Sequence, residues 1–177
     1  DEELMGKYLQ NQPLSVEEIM RGLRRGTLAG KIQPTYAGAS KHHQGVQPMM
    51  DGIVDFLASP LDRPFVEGRD PAGQPARRDL RKDAHVCALA FKTTTDLHGD
   101  LTFLRIYTGS LRSGDSLLNP RLGKPERLLR IYRMFANHRR DPISGAGSGE
   151  IVAVVGLKGT VTGDTLCDKA SPILLER

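Results

Sequence analysis

Tryptophan is absent from this sequence, and five phenylalanines and four tyrosines are its only aromatic residues. Any core must therefore be aliphatic. Cysteine is nearly absent too. Cys87 and Cys167 are two thiols far apart in the chain, with neither a disulfide framework nor metal-ligand spacing, and they suit a reducing, cytoplasmic setting. No apolar run approaches the length of a membrane span, and nothing reads as a signal peptide, so no membrane partner is expected. With 38% hydrophobic and 26% charged residues, the 177-residue chain can still bury a core, as one large domain or one and a half. The chain opens without an initiator Met inside what reads as a helix, which gives the expectation of a fragment.

Several chemistries are missing as well. Gly145-Ala146-Gly147-Ser148-Gly149 looks like a glycine-rich nucleotide loop. However, a phosphate cradle must open a helix, so that free N–H groups and the helix dipole face the anion. Here the strand-like Ile151-Val152-Ala153-Val154-Val155 follows, and Gly-Lys-Ser/Thr occurs nowhere. A plain loop between strands is predicted. His42-His43 is the one adjacent histidine pair, and on extended backbone those side chains diverge. His85, His98 and His138 have no ligand partners at useful spacing. No serine has glycine two residues before and two after it, which excludes a nucleophile elbow. No catalytic residue and no metal ligand is predicted.

What is present is a mainly β stretch preceded by helical signals. Residues 1–9 form a short acidic amphipathic piece. Ser15-Val16-Glu17-Glu18 is a capping-box start, followed by Ile19, Met20 and Leu23 on one face and a stop at Gly26. Lys31–Tyr36 reads as a strand, Gly38–Gly45 as a loop, and Val46–Leu57 as a helix with Pro48 in its first turn. Residues 59–83 carry Pro60, Pro64, Pro71 and Pro75 with little periodicity, which is linker composition. Two β-rich runs then follow, Ala84–Lys92 and Leu101–Thr108, around the polar loop Asp96–Asp100 with Gly99 at its turn. Ser116-Leu117-Leu118, Glu126–Met134, Ile151–Leu157 and Thr165–Cys167 supply further strands. Short strands at turn-punctuated intervals predict a β-barrel or sandwich.

The residues also carry a resemblance. Ala90-Phe91-Lys92, Thr95-Asp96, Gly99-x-Leu101-Thr102-Phe103-x-Arg105-x-Tyr107-x-Gly109-x-Leu111, Gly114-Asp115 and Asn119 resemble the second, β-barrel domain of the translational GTPases, most closely that of elongation factor G. The likeness continues through Gly123–Asp141 and Gly149–Asp168 and upstream through Gly45–Asp62, in the family's order. It implies the end of a GTPase domain over residues 1–58, as an incomplete α/β segment, and a domain II type β-barrel over residues 84–177. In that family the phosphate loop, the switch regions and the Asn-Lys-x-Asp motif precede residue 1. GTP and Mg²⁺ are thus expected for a full-length parent, and none for this chain alone. The parent would hydrolyse GTP on the ribosome to drive translocation, with the barrel packed on its own GTPase domain. A relative of the release factor three or ribosome-protection type, or a free-standing β-barrel RNA-binding module, are the alternatives.

Two sets of candidate site residues follow. Gly38-Ala39-Ser40 sits where the family has Gly-Ser-Ala against guanine O6, with the last two residues swapped; the same residues suit an ordinary strand-to-helix loop. Between Arg121 and Arg140, seven basic residues (Arg121, Lys124, Arg127, Arg130, Arg133, Arg139, Arg140) face one acid, Glu126. That net charge of +6 exceeds the +4 of the whole chain. Concentrated cations on strands and loops are what phosphate-backbone docking needs. By resemblance the partner is small-subunit ribosomal RNA, bound by Arg121, Lys124, Arg127, Arg133, Arg139 and Arg140. Arg130 is set apart as a brace, and a solvated face of ion pairs is the other reading. The lone strand Lys31–Tyr36 further predicts packing on the barrel, loose order, or a dimer through the N-terminal segment.

Overall fold

A computed structural model describes residues 2–80, 84–96, 99–135 and 139–175. The chain divides into two compact units, Asp1–Ser59 and Pro60–Arg177. The first is helical: α1 (Glu2–Leu9), α2 (Val16–Leu28) and α3 (Val46–Phe56). The capping box at Ser15 forms as its sequence dictates. Its hydroxyl accepts the Glu18 N–H at 3.2 Å, and the Glu18 carboxylate accepts the Ser15 N–H at 3.0 Å. Glu18 also pairs with Lys7, tying α2 to α1. The Arg24 guanidinium donates to the Asp55 carbonyl at 2.6 Å, tying α2 to the end of α3.

Two expectations fail in this unit. Gly26 does not stop α2, which runs on to Leu28 and is capped at Ala29, with Gly30 beyond it at φ +69°. Gly30 is the glycine in the left-handed position that ends a helix. Gly26 instead leaves room for Ile32, whose side chain a Cβ would strike. Residues 31–36 are not a strand, so the incomplete α/β segment is a helical one here. Pro34 removes one ladder donor, and no segment among the described residues pairs with this stretch.

The second unit is mainly β. Its strands are β1 (Phe65–Arg69), β2 (Pro75–Asp79), β3 (Cys87–Asp96), β4 (Gly99–Thr108), β5 (Ser110–Arg112), β6 (Ser116–Asn119), β7 (Lys124–Arg127), β8 (Arg130–Met134), β9 (Arg140–Ile143), β10 (Gly145–Gly147), β11 (Ile151–Val155), β12 (Thr165–Cys167) and β13 (Leu174–Leu175). Eight of them form one antiparallel sheet in the order β7-β6-β12-β3-β4-β11-β8-β9, with β10 paired to β5 beside it. The side-chain period of two fixes which residues face in. On β3, β4 and β11 these are Ala88, Ala90, Leu104, Ile106, Val152 and Val154, joined by Leu117, Leu128, Ile131 and Leu166 in one aliphatic core. This is the domain II type barrel expected of the sequence. The turn residues Leu97 and His98 of the β3–β4 hairpin lie outside the described residues.

Three local readings change. The segment 126–134 is two strands: β7 pairs with β6, whereas β8 pairs with β11. At the break the Leu128 N–H reaches the Asp115 carbonyl and the Leu129 N–H reaches the Val155 carbonyl, at 2.9 and 2.8 Å. Gly156 makes this crossing feasible: at φ +107°, a Cβ would lie 2.9 Å from the Arg127 carbonyl oxygen. Gly145–Gly147 is a strand rather than a loop, because Ala146 is buried against Leu111 on β5. The proline-rich segment 59–83 is no bare linker. It carries the β1–β2 hairpin, whose turn is closed by Gln74 N–H to Asp70 Oδ1 at 2.8 Å, with Gly73 at φ +80°. Pro71 sits in the turn and Pro75 opens a strand, two places where a missing N–H costs nothing. This hairpin and β13 form a three-stranded sheet against the outer face of β3 and β12. A second apolar cluster fills the seam: Cys87, Cys167, Ile173 and Leu175, flanked by Val66, Ala76, Leu89, Tyr107 and Leu118.

Candidate nucleic-acid interface

The basic run 121–140 is not one patch. Arg121 is a brace. Its Nε and Nη2 donate to the two carboxylate oxygens of Asp164 at 2.6 and 2.8 Å, and Nη2 also reaches the Gly159 carbonyl at 2.8 Å. The Asp164 carboxylate is wholly buried and accepts from Asn119 and the Val161 N–H, both at 3.0 Å. Burial alone pushes its pKa up; Arg121, the Val161 N–H and Asn119 outweigh that and bring it down to about 2. Glu126, the acid within the basic run, is equally committed. It is buried and takes the backbone N–H groups of Lys158 (2.7 Å) and Gly159 (3.2 Å). Together the two carboxylates hold the loop 156–164 against β6 and β7.

Other cations of the run are also partnered. Arg133 pairs with Glu150 at 2.8 Å, and that carboxylate is lowered first by the Gly147 N–H it accepts at 2.7 Å. Arg139 makes a two-point contact with Asp141 at 3.0 and 3.1 Å and lies 5.5 Å from the Phe135 ring centre. Arg140, half-buried, opens β9. Lys124, Arg127 and Arg130 remain. All three are exposed and have no ion-pair partner among the described residues. Arg130 thus belongs with the candidate contacts, and Arg121 is the internal brace; the sequence reading had them the other way round. Lys124 and Arg127 stand at the two ends of β7, an edge of the eight-stranded sheet, and three positions apart on a strand they point to opposite faces.

A second group was missed in sequence. On the outer face of the barrel, Phe91 and Phe103 pack with ring centres 6.2 Å apart and a 54° tilt. The Lys92 ammonium lies 5.5 Å from the Phe103 ring centre. The register places Lys92, Phe103, Ala153 and Tyr132 in one row across β3, β4, β11 and β8, with Arg105 two positions along β4. Phe91 is exposed, whereas Phe103 and Tyr132 are half-buried; surface aromatic rings beside cations are groups that stack on unpaired bases and approach phosphates. The signal was the alternation Phe103-x-Arg105-x-Tyr107, which reads equally well as an ordinary outward face.

The loop Gly38-Ala39-Ser40 is a tight turn. Ala39 and Gln44 exchange both backbone hydrogen bonds at 3.0 and 3.2 Å, enclosing a 3₁₀ turn over Ser40–His42. A Cβ on Gly38 would lie 2.8 Å from the Gln44 carbonyl oxygen, so the residue must be glycine. The Ala39 N–H is occupied by Gln44, which leaves the exposed Ser40 hydroxyl as the side-chain donor of the three. These residues offer no cradle for a triphosphate. Among the described residues no group of three or more His, Cys, Asp and Glu could hold a metal ion, and no helix is long and apolar enough to cross a membrane.

Comparison with known proteins agrees with this architecture. A crystal structure of a protein from Thermus thermophilus superposes on the entire chain with a TM-score of 0.73 at 24% sequence identity. The present chain spans 24% of that protein's length, so the likeness is one of fold. Residues 85–169 match the family described as elongation factor G domain 2. The matched span runs from just before β3 to just after β12 and takes in the eight-stranded sheet, the braced loop 156–164 and every cation considered above. Over residues 85–169 the chain thus carries a β-barrel similar to domain 2 of elongation factor G, a translation-factor domain.

Proposed function

We propose that the barrel docks a ribosome-associated GTPase of the elongation factor G type on small-subunit ribosomal RNA, with Lys124, Arg127 and Arg130 as its phosphate contacts. The observation that carries this reading is their exposure, without ion-pair partners among the described residues, on a domain similar to that family's, next to cations that are visibly engaged. An exposed, unpaired guanidinium gives up little hydration and no internal partner when it meets a phosphate. In the full-length protein, GTP and Mg²⁺ would be held outside this chain, with Ser40 near the base, and the barrel would pack on its own GTPase domain. Translocation of tRNA and mRNA, in the cytoplasm, is the activity this reading assigns to the whole protein.

Each neutralised phosphate releases about one counterion, so RNA affinity should fall steeply with salt. Replacing Arg127 and Arg130 together by Ala should flatten the slope of log affinity against log salt by about two units. The matched double variant Arg139→Ala, Arg140→Ala should change it by less, because Asp141 already partners Arg139. Equal slopes for the first variant and the wild type, measured by fluorescence anisotropy on a small-subunit RNA fragment, would remove the proposal.

A further inference from the structure

Cys87 on β3 and Cys167 on β12 are directly opposite each other in the antiparallel ladder. Their sequence separation hides this completely. The flanking hydrogen bonds are Asp168 N–H to the Val86 carbonyl at 2.9 Å and Ala90 N–H to the Asp164 carbonyl at 2.8 Å. That alternation puts the Cys87–Cys167 pair at a position between ladder hydrogen bonds. Opposed residues there have Cα atoms about 4.5 Å apart and side chains on the same face. A disulfide spans Cα separations of about 4.4–6.8 Å. Both cysteines are fully buried in the same apolar cluster, and neither is in a disulfide.

We infer that Cys87 and Cys167 are an oxidisable pair that closes to an intramolecular disulfide by exchange with a low-molecular-weight disulfide such as oxidised glutathione. The thiolate of one cysteine attacks the small disulfide, forming a mixed disulfide and releasing one small thiol. The second cysteine then displaces the other small thiol. Two protein S–H bonds are lost, one S–S bond forms, and the two electrons pass to the small disulfide, which leaves as two thiols.

Access sets the rate. Burial raises the Cys167 thiol above its ordinary pKa, with the Ile173 N–H and Arg78 acting the other way, so thiolate is scarce at neutral pH. The sulfurs lie beneath Ile173 and Leu175, on and beside the two-residue strand β13. That segment is clasped to β2 by the Arg78 guanidinium, which donates to the carbonyls of Ser171 and Pro172 at 2.9 and 3.4 Å. Oxidation therefore waits for this small sheet to lift. Once formed, the bond ties β3 to β12 next to the seam between the barrel and the β1–β2–β13 sheet.

The test is incubation of the chain with oxidised glutathione, an acid quench, and peptide mapping by mass spectrometry. The expected product is a monomer containing a Cys87–Cys167-linked peptide, with both titratable thiols lost and both regained on adding dithiothreitol. Arg78→Ala should form it about tenfold faster, as a local opening step predicts. Mild urea on the wild type should do the same, which serves if that variant folds poorly. Cys87→Ser should leave Cys167 able to form only a glutathione adduct. A stable glutathione adduct as the wild-type end product, a disulfide between two chains, or both thiols still titratable in urea after overnight exposure would each overturn the inference.

Discussion

The two units of this chain are built by opposite means. In Pro60–Arg177 the strands bury a continuous aliphatic core, with Leu104, Ile106, Leu111, Leu128, Ile131 and Leu166 all closed to solvent. In Asp1–Ser59, Phe56 and Gly52 are the buried residues among those described. Met49, Met50, Ile53, Val54 and Leu57 on and after α3 remain exposed, as do Val16, Ile19 and Leu23 on α2. The helices form even so, because a helix satisfies its backbone within one segment and needs only local signals to start and stop. A strand cannot do this. Residues 31–36 have strand-like composition and no strand, since every ladder hydrogen bond must come from elsewhere. Local signals thus give secondary structure in both units, and only the barrel converts it into a core.

Amide hydrogen exchange is where this contrast should be largest. Exchange from β3, β4 and β11 requires opening the core, whereas residues 33–38 have no ladder to protect them. In a monomer the two regions should differ by a factor of a thousand or more, as expected between global unfolding and no protection. Strong protection of residues 33–38 in a proven monomer would break the comparison at its base.

Side-chain truncation sharpens it next. Leu104→Ala removes a fully buried side chain from the barrel core and should cost about 2–5 kcal/mol in urea unfolding. Ile53→Ala, at 49% exposure on α3, should stay within about 0.5 kcal/mol. Similar costs at the two sites would mean that the exposed face of α3 is covered in solution.

A third difference is electrostatic and rests on the wholly buried Asp164 carboxylate of the barrel. The folded pKa of Asp164, about 2, lies below its ordinary value. A carboxylate with a depressed pKa stabilises the fold above the unfolded value, and that contribution is lost as pH falls through the folded one. Between about pH 4 and pH 2 the barrel should therefore lose roughly 2 kcal/mol through this group. Asp164→Asn should start less stable at pH 6 and lack this part of the acid slope, read as the difference between the two denaturant midpoints. Parallel acid slopes would show that the Arg121 pair contributes nothing in solution.

The same division explains what was legible in the sequence. Ser15 to Glu18 could be read without error because both partners lie within one turn. Strand β4 was legible because buried Leu104 and Ile106 alternate with outward Phe103, Arg105 and Tyr107. The β1–β2 hairpin was not, since its prolines imitate a linker and its apolar residues, Val66 and Ala76, are too few to show a period. The break at Leu128-Leu129 was hidden because both halves carry strand-forming residues and the switch of partner from β6 to β11 is a tertiary event. The role of Arg121 was hidden for a similar reason. Its carboxylate lies 43 positions away, at Asp164. A sequence shows the sign of a charge, and only the fold shows whether that charge is already answered.

The smallest effect should come from the feature that was easiest to read. Ser15→Ala removes the hydroxyl that accepts the Glu18 N–H and leaves the first turn of α2 with an unsatisfied donor. The expected loss is about 1 kcal/mol, confined to a 13-residue helix with no buried residue of its own. A helix of that length is marginal without packing, so this loss should appear as a lower helical signal at 222 nm and faster exchange across residues 16–28. The barrel midpoint in urea should not move, because the Leu104 core contains nothing from α2. Ser15→Gly should recover most of the signal, as glycine is tolerated at this capping position within a few tenths of a kcal/mol. If Ser15→Ala instead shifts the barrel midpoint by the full amount, the two units unfold together, and the exposed faces of the helices belong to the same cooperative structure as the barrel.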